Sequence, residues 1–171
     1  MKAEISENIL SLIKSQQSLL LSTLSSSQSK TAKQPFASYA PYAYDLKTGE
    51  LFVLLSDLAS HSLNVIEHPQ ASVLIIEDES KSDEIFARKR VQYDVTAIDI
   101  SREDRAKTIV QDMTERLGDT VSLIASLADF RLFALKAQGG RYVEGFGKAF
   151  TIKQGFAEDL NPAMQDINKS K

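Results

Sequence analysis

Residues 51–65 read LFVLLSDLASHSLNV, and the rest of the chain is organised around them. The stretch opens as an apolar run, Leu51, Phe52, Val53, Leu54 and Leu55, which predicts a buried strand. It breaks at Ser56-Asp57. Then Leu58, Ala59, Ser62, Leu63 and Val65 take up helical spacing. A strand that ends in a hydroxyl, an acid and a helix start leaves backbone N–H groups free, at a point where the dipole favours negative charge. His61 and Asn64 fall in the first turns of that helix. Two readings stand: an anion site, or Ser56 or Asp57 capping the helix.

Working outward, Ile5, Ile9, Leu12 and Ile13 form one face of a helix ending near Ser15. SLLLSTL (residues 18–24) reads as a first buried strand. SSSQSKTAK (25–33) reads as a polar hairpin loop. PFASYAPYAY (35–44) reads as a strand in which Pro41 marks an edge or bulge. DLKTGE (45–50) is turn chemistry ahead of the returning strand. The helix after it stops before His68-Pro69. ASVLII (71–76) is another buried strand, followed by an acidic turn, EDESKSDE (77–84). Residues 85–100 read as one long strand. Its alternation changes phase where Ile98 and Ile100 become the apolar positions, which predicts a bulge near Ala97. Ser101, with Asp104 three residues on, predicts a helix start. Ala106, Ile109, Val110, Met113 and Leu117 form that helix's stripe, with Gly118 as its C-cap and Asp119 capping a short second helix. Residues 130–135 and 141–152 read as two strands joined across Gln138-Gly139-Gly140. The expected fold is mainly β with inserted helices (α+β): a small antiparallel barrel of about six strands. One domain covers residues 1–152, with a C-terminal tail at 153–171 that holds a short helix around Leu160.

The composition narrows the function classes. The chain has 171 residues and a formal net charge of −3. It is therefore not a generic nucleic-acid binder, and any anion-binding face must be local. It has no cysteine and only two histidines, His61 and His68, so disulfides and thiolate chemistry are excluded and no metal-ligand spacing appears. No stretch approaches the length of a membrane span, and no secretory leader is legible, so a cytoplasmic location is expected.

Three features carry candidate chemistry. In FARKRV (86–91), strand alternation puts Arg88, Arg90 and Gln92 on one face and Lys89 and Tyr93 on the other. Paired guanidinium groups suit a phosphate or carboxylate, although a charged strand edge looks the same. In YVEGFGKAF (142–150), Gly145 and Gly147 would share a face that lets a flat ligand or another backbone approach. Asp129, in DFRLF, either partners Arg131 or orients a ligand.

Taken in order, SYAPY (38–42), LLSDLASHSLNV (54–65), IEDE (76–79), FARKRV (86–91), DFRLF (129–133) and GRYVEGFGKAF (140–150) resemble the haem-utilisation, HugZ/HutZ-like family of FMN-binding-type split β-barrels. These are relatives of pyridoxamine 5′-phosphate oxidase. The resemblance implies a six-stranded split-barrel homodimer with haem or FMN at the subunit interface. It implies oxidative haem degradation in iron acquisition. Alternatives are an FMN-dependent oxidoreductase or a non-catalytic haem carrier. By motif position it implies Arg90 beside bound haem and Asp129 as the acid that orients an axial histidine across the interface. His61 matches the histidine of SxxAxH, and Asp129 and His61 are the catalytic candidates. Ser56, His61, Asn64 and Arg88 lie where related barrels hold a flavin phosphate; Arg90, Gly145 and Gly147 complete the cofactor set. The family's axial histidine lies in the C-terminal tail, and residues 153–171 contain none.

Overall fold

A computed structural model describes residues 2–158 and 160–162. Helix α1 (Lys2–Ser15) buries the predicted face, Ile5, Ile9, Leu12 and Ile13. Strands β1 (Ser18–Leu24) and β2 (Pro35–Pro41) form a fully paired hairpin. A break at Tyr42 separates β2 from β3 (Ala43–Asp45), so Pro41 does mark an edge. β4 (Glu50–Ser56) leads into α2 (Ser60–Glu67), and β5 (Gln70–Ile76) follows. Then come β6 (Arg90–Asp99), α3 (Ala106–Leu117), α4 (Thr120–Ala125), β7 (Phe130–Gly145), β8 (Lys148–Ile152) and β9 (Asn161–Pro162).

Every strand pairing is antiparallel, and β7 is the branch point. One edge of β7 carries β6, then β5, β1 and β2. Its other edge carries β4 along residues 130–136 and β8 along residues 140–145. The described residues hold nine strands in this one forked sheet, not six. The concave face encloses the main core, which includes Leu19, Leu21, Val53, Leu55, Val73, Tyr93 and Tyr142. A second core, with Phe52, Ile100, Ile109, Met113, Val121 and Leu132, lies on the other face of β4 and β7 beneath α3 and α4. β4 is therefore covered on both faces, which is why it reads as a continuous apolar run instead of alternating. No helix among the described residues is long and apolar enough to cross a membrane.

Several local expectations are corrected. Residues 85–87 form a 3₁₀ turn, and the long strand starts only at Arg90. The phase change at Ile98–Ile100 is not a bulge at Ala97; Ile100 leaves the strand and enters the second core. The bulge is on β7, where pairing steps from Asp94↔Gly139 to Val95↔Ala137 and passes over Gln138. Gln138-Gly139-Gly140 is therefore the kinked middle of one strand. The hairpin turn lies at Phe146-Gly147 instead. Gly140 is required there: a Cβ would sit 2.1 Å from the Gln92 carbonyl oxygen. Ser101 does not start α3. Its hydroxyl donates to Asp99 and accepts from the Leu132 N–H, and the helix begins at Ala106. Gly118 ends α3 with φ 98°, as expected of a C-cap glycine. Around Leu160 the described residues form a bridged turn and a short strand; residues 163–171 of the expected tail lie outside the described residues. Phe156 and Leu160 are buried in the main core, and the Tyr93 hydroxyl donates to the Phe156 carbonyl at 2.6 Å.

Candidate functional site

The link from β4 to α2 is a tight polar turn. The Ser56 hydroxyl accepts from the Leu58 N–H (3.1 Å) and donates to Asp129 Oδ2 (2.7 Å). The Asp57 N–H donates to the Asp129 carbonyl at 2.6 Å. Ser56 thus ties the end of β4 to the start of β7 rather than capping α2, whose N-cap is Ala59 with no side-chain bond. Asp129 does not pair with Arg131. That guanidinium binds both oxygens of Asp57 (2.6 and 3.1 Å) and reaches Asp99 at 3.2 Å. Burial alone would raise the Asp99 carboxyl pKa, but the bonds from Ser101 and Arg131 outweigh it and hold the group below its ordinary value.

His61, the second residue of α2, lies against β2. Its Nδ1 is 3.1 Å from Ser38 Oγ, and partial burial lowers its pKa, favouring the neutral ring. Leu58, 87% exposed, lies three residues before it, in the turn ahead of the helix. Asn64 is not available to a ligand. It is 1% exposed; its amide donates to Thr23 Oγ1, and its carbonyl oxygen accepts from the Ser26 N–H, fixing the loop after β1.

The basic cluster lies elsewhere. Arg88 folds back on its own turn, binding the Glu77 carbonyl through two nitrogens and the Glu79 carboxylate at 3.0 Å. Arg90 gives one nitrogen to the Arg88 carbonyl. On the same convex sheet face, the next row across the strands runs Tyr39, Leu20, Leu74, Gln92. Of these, Tyr39 is 63% and Leu20 49% exposed. Gly145 ends β7, and Gly147, with φ 70°, is in the turn after it. The two glycines therefore do not line one strand face; Gly147 serves the hairpin.

The predicted residues thus divide. Ser56 is bonded to Asp129 where β4 ends, and His61 touches Ser38 at the start of α2. Arg88, Arg90, Gly145 and Gly147 sit near the opposite end of β7, and Asn64 is inside. Ser38 shares a row with buried Leu21, Val73 and Tyr93 and so faces the concave side, whereas Arg90 faces the convex side. Arg90 is three strands across and three residues along from that row, about 17 Å in the plane of the sheet. Two clefts of about 460 and 370 Å³ flank α4 and share Leu54 as a wall; neither is lined by His61, Asp129 or Arg90. Sequence reasoning missed Ser38 and the Asp57–Arg131 pair. SYAPY and SD were both in view, but neither motif reveals a contact between distant strands.

A family model described as pyridoxamine 5′-phosphate oxidase matches residues 5–144. The haem oxygenase HutZ of Vibrio cholerae serotype O1 is 36% identical over 120 residues, spanning 70% of this chain and 67% of HutZ. The crystal structure of HutZ, there described as a haem storage protein, superposes with a TM-score of 0.68 at 31% identity, covering 77% of this chain and 88% of that one. Campylobacter jejuni ChuZ gives a TM-score of 0.81 at 25% identity, covering 94% of this chain and 62% of ChuZ. The chain belongs to the pyridoxamine 5′-phosphate oxidase family, in its HutZ-like branch.

Proposed function

We propose that this chain binds haem between two copies of itself, in a haem-utilisation role. The observation that carries the reading is the convex face of the sheet: exposed Leu20 and Tyr39 with Arg90 alongside. A flat apolar ring with carboxylate arms suits such a surface. Two protomers packed through it would cover the apolar residues and enclose a flat ring between them. The similarity to HutZ supports the same reading.

Haem is favoured over FMN by what the side chains already do. A flavin phosphate needs several free donors, and of the residues expected to supply them Arg88 and Asn64 are committed to the fold. Arg90 remains to bind a propionate through its free guanidinium edge. Asp129, held in place by Ser56, keeps one carboxylate oxygen to accept a proton or a hydrogen bond. Bound haem would supply the oxygen and redox chemistry. The chain's part is to orient it, screen it from water and hold charge beside it.

The test is a titration of the purified chain with haem and, separately, with FMN. Saturable Soret absorbance is expected, with a dimer by light scattering and binding weakened by about 1.5–3 kcal/mol in Arg90→Ala. Lys89→Ala, on the other strand face, should have a much smaller effect. A monomeric chain, or no saturable change with haem, refutes the proposal; tight FMN retention would point to the flavin-dependent oxidoreductase instead. Ascorbate and oxygen added to the haem complex separate a degrading enzyme, which loses the Soret band, from a carrier, which keeps it.

A further inference from the structure

The second core is not filled to its end. Phe52 and Leu132 are buried beneath α3 and α4, but Leu54 and Phe130, further along the same face of β4 and β7, are only half-buried. The side chains that face them are small: Ala106 on α3, and Ser122, Ala125 and Ser126 in and just after α4. α4 has only six residues, and space is left on both sides of it. The result is the pair of clefts of about 460 and 370 Å³ that share Leu54. Each is large enough to hold a small molecule. The two differ in charge. Lys107 lines the larger one and makes no ion pair among the described residues; Glu103, four residues before it, is held by Arg105 at 2.6 Å. Arg102, also without an ion pair among the described residues, lines an adjoining hollow that shares Ser101 and Phe130 with this cleft. The smaller cleft has no charged lining residue, and Met113, Leu117, Val121 and Ile124 wall it.

We propose that the clefts flanking α4 bind one amphipathic carboxylate of the fatty-acid class, its head on Lys107 in the larger cleft and its tail past Leu54 into the smaller. The cation at one end and the uncharged apolar wall at the other call for a ligand with the same asymmetry. A flexible chain can bend past Leu54 from one cleft to the other, whereas a rigid ring would be confined to one. A helix is about 10 Å across with its side chains, so a tail of about eight to twelve carbons spans both sides of α4. The site is separate from the convex face and independent of the haem reading.

The experiment titrates the full chain with sodium hexanoate, octanoate and decanoate by calorimetry. Saturable binding is expected, tightening about threefold to fourfold with each added methylene as more tail is buried. Lys107→Gln should weaken octanoate about twofold to fivefold and leave octanol, which has the tail without the charge, unchanged. Leu54→Trp and Ala125→Leu each fill the clefts from a different wall and should abolish binding of both probes, with circular dichroism confirming that the variant used is folded. Leu20→Ser, on the convex face, should leave decanoate binding as it is. No saturable binding of decanoate overturns the proposal. So does binding that survives in a folded cleft-filling variant, binding lost in Leu20→Ser, or an equal loss of octanoate and octanol in Lys107→Gln. A dimer that dissociates in Ala125→Leu also overturns it, because the clefts would then be covered by a second copy of the chain.

Discussion

Arg116, in the last turn of α3, holds three parts of the chain together, and removing it is a direct test of how the barrel is assembled. Its Nε donates to the Tyr42 carbonyl at 3.1 Å, and its terminal nitrogens reach the Lys14 and Gln16 carbonyls at the end of α1. The guanidinium also lies over the Tyr44 ring at 4.7 Å and the Tyr42 ring at 5.4 Å. Each hydrogen bond from a charged donor is worth about 1.5–3 kcal/mol. Lys14 is exposed, however, and water can replace that bond, so Tyr42 and Gln16 carry most of the loss. Together with about 0.5–1 kcal/mol from the aromatic contacts, Arg116→Ala should cost about 4 kcal/mol. Arg116→Lys should cost about 2 kcal/mol, because an ammonium cannot serve three carbonyls set around a planar fork. The chain has five tyrosines and no tryptophan, so urea unfolding is best followed by far-UV circular dichroism and tyrosine fluorescence. A melting temperature lower by about 8–16 °C is expected for the alanine variant of a chain this size. A loss below about 1 kcal/mol with an unchanged denaturant slope would refute the idea that this side chain clamps α1 to the barrel.

Gly140→Ala places a methyl group 2.1 Å from the Gln92 carbonyl oxygen and should cost about 3 kcal/mol or more, whereas Gly145→Ala meets nothing within 4 Å and should cost under about 1 kcal/mol; equal costs in urea titrations would contradict the bulge assignment. His61 should titrate below the ordinary histidine value in an NMR pH series, because burial favours its neutral form. As pH falls through about 6.5 the unfolded chain takes up this proton first. His61 therefore lowers stability between the unfolded value and its depressed folded value, and His61→Gln should flatten that part of the stability curve. An unchanged curve would argue against the burial.

The core was legible wherever one covering surface imposes one period. The α1 stripe and the odd positions of β6 are examples, whereas β1, read as wholly buried, alternates and exposes Leu20. β4 was legible as a strand, but its lack of alternation hid the second core until α3 and α4 were seen to cover its other face. Gln138-Gly139-Gly140 misled because glycine marks turns and close backbone approaches alike, and only the partner strand tells them apart. At the site, the motif residues were visible but their duties were not. Arg88 is consumed by Glu77 and Glu79 and Asn64 by Thr23 and Ser26, while Ser56 claims one oxygen of Asp129. Local periodicity reports which face a side chain occupies; it cannot report which distant group already claims it.

The pairing of β4 with β7 has a cost in time. Leu55 meets Arg131 and Leu51 meets Leu135, so LFVLL leaves the ribosome some 80 residues before its main partner strand exists. At about 5–20 residues per second that is roughly 4–16 s of waiting. Meanwhile β3 offers β4 only three paired residues on its other edge. An unpaired strand of high β propensity with no charge among its five residues is an aggregation hazard for that interval. In vivo yield of this chain should therefore depend on chaperone supply and translation rate between residues 56 and 130 more than on the stability of the finished barrel.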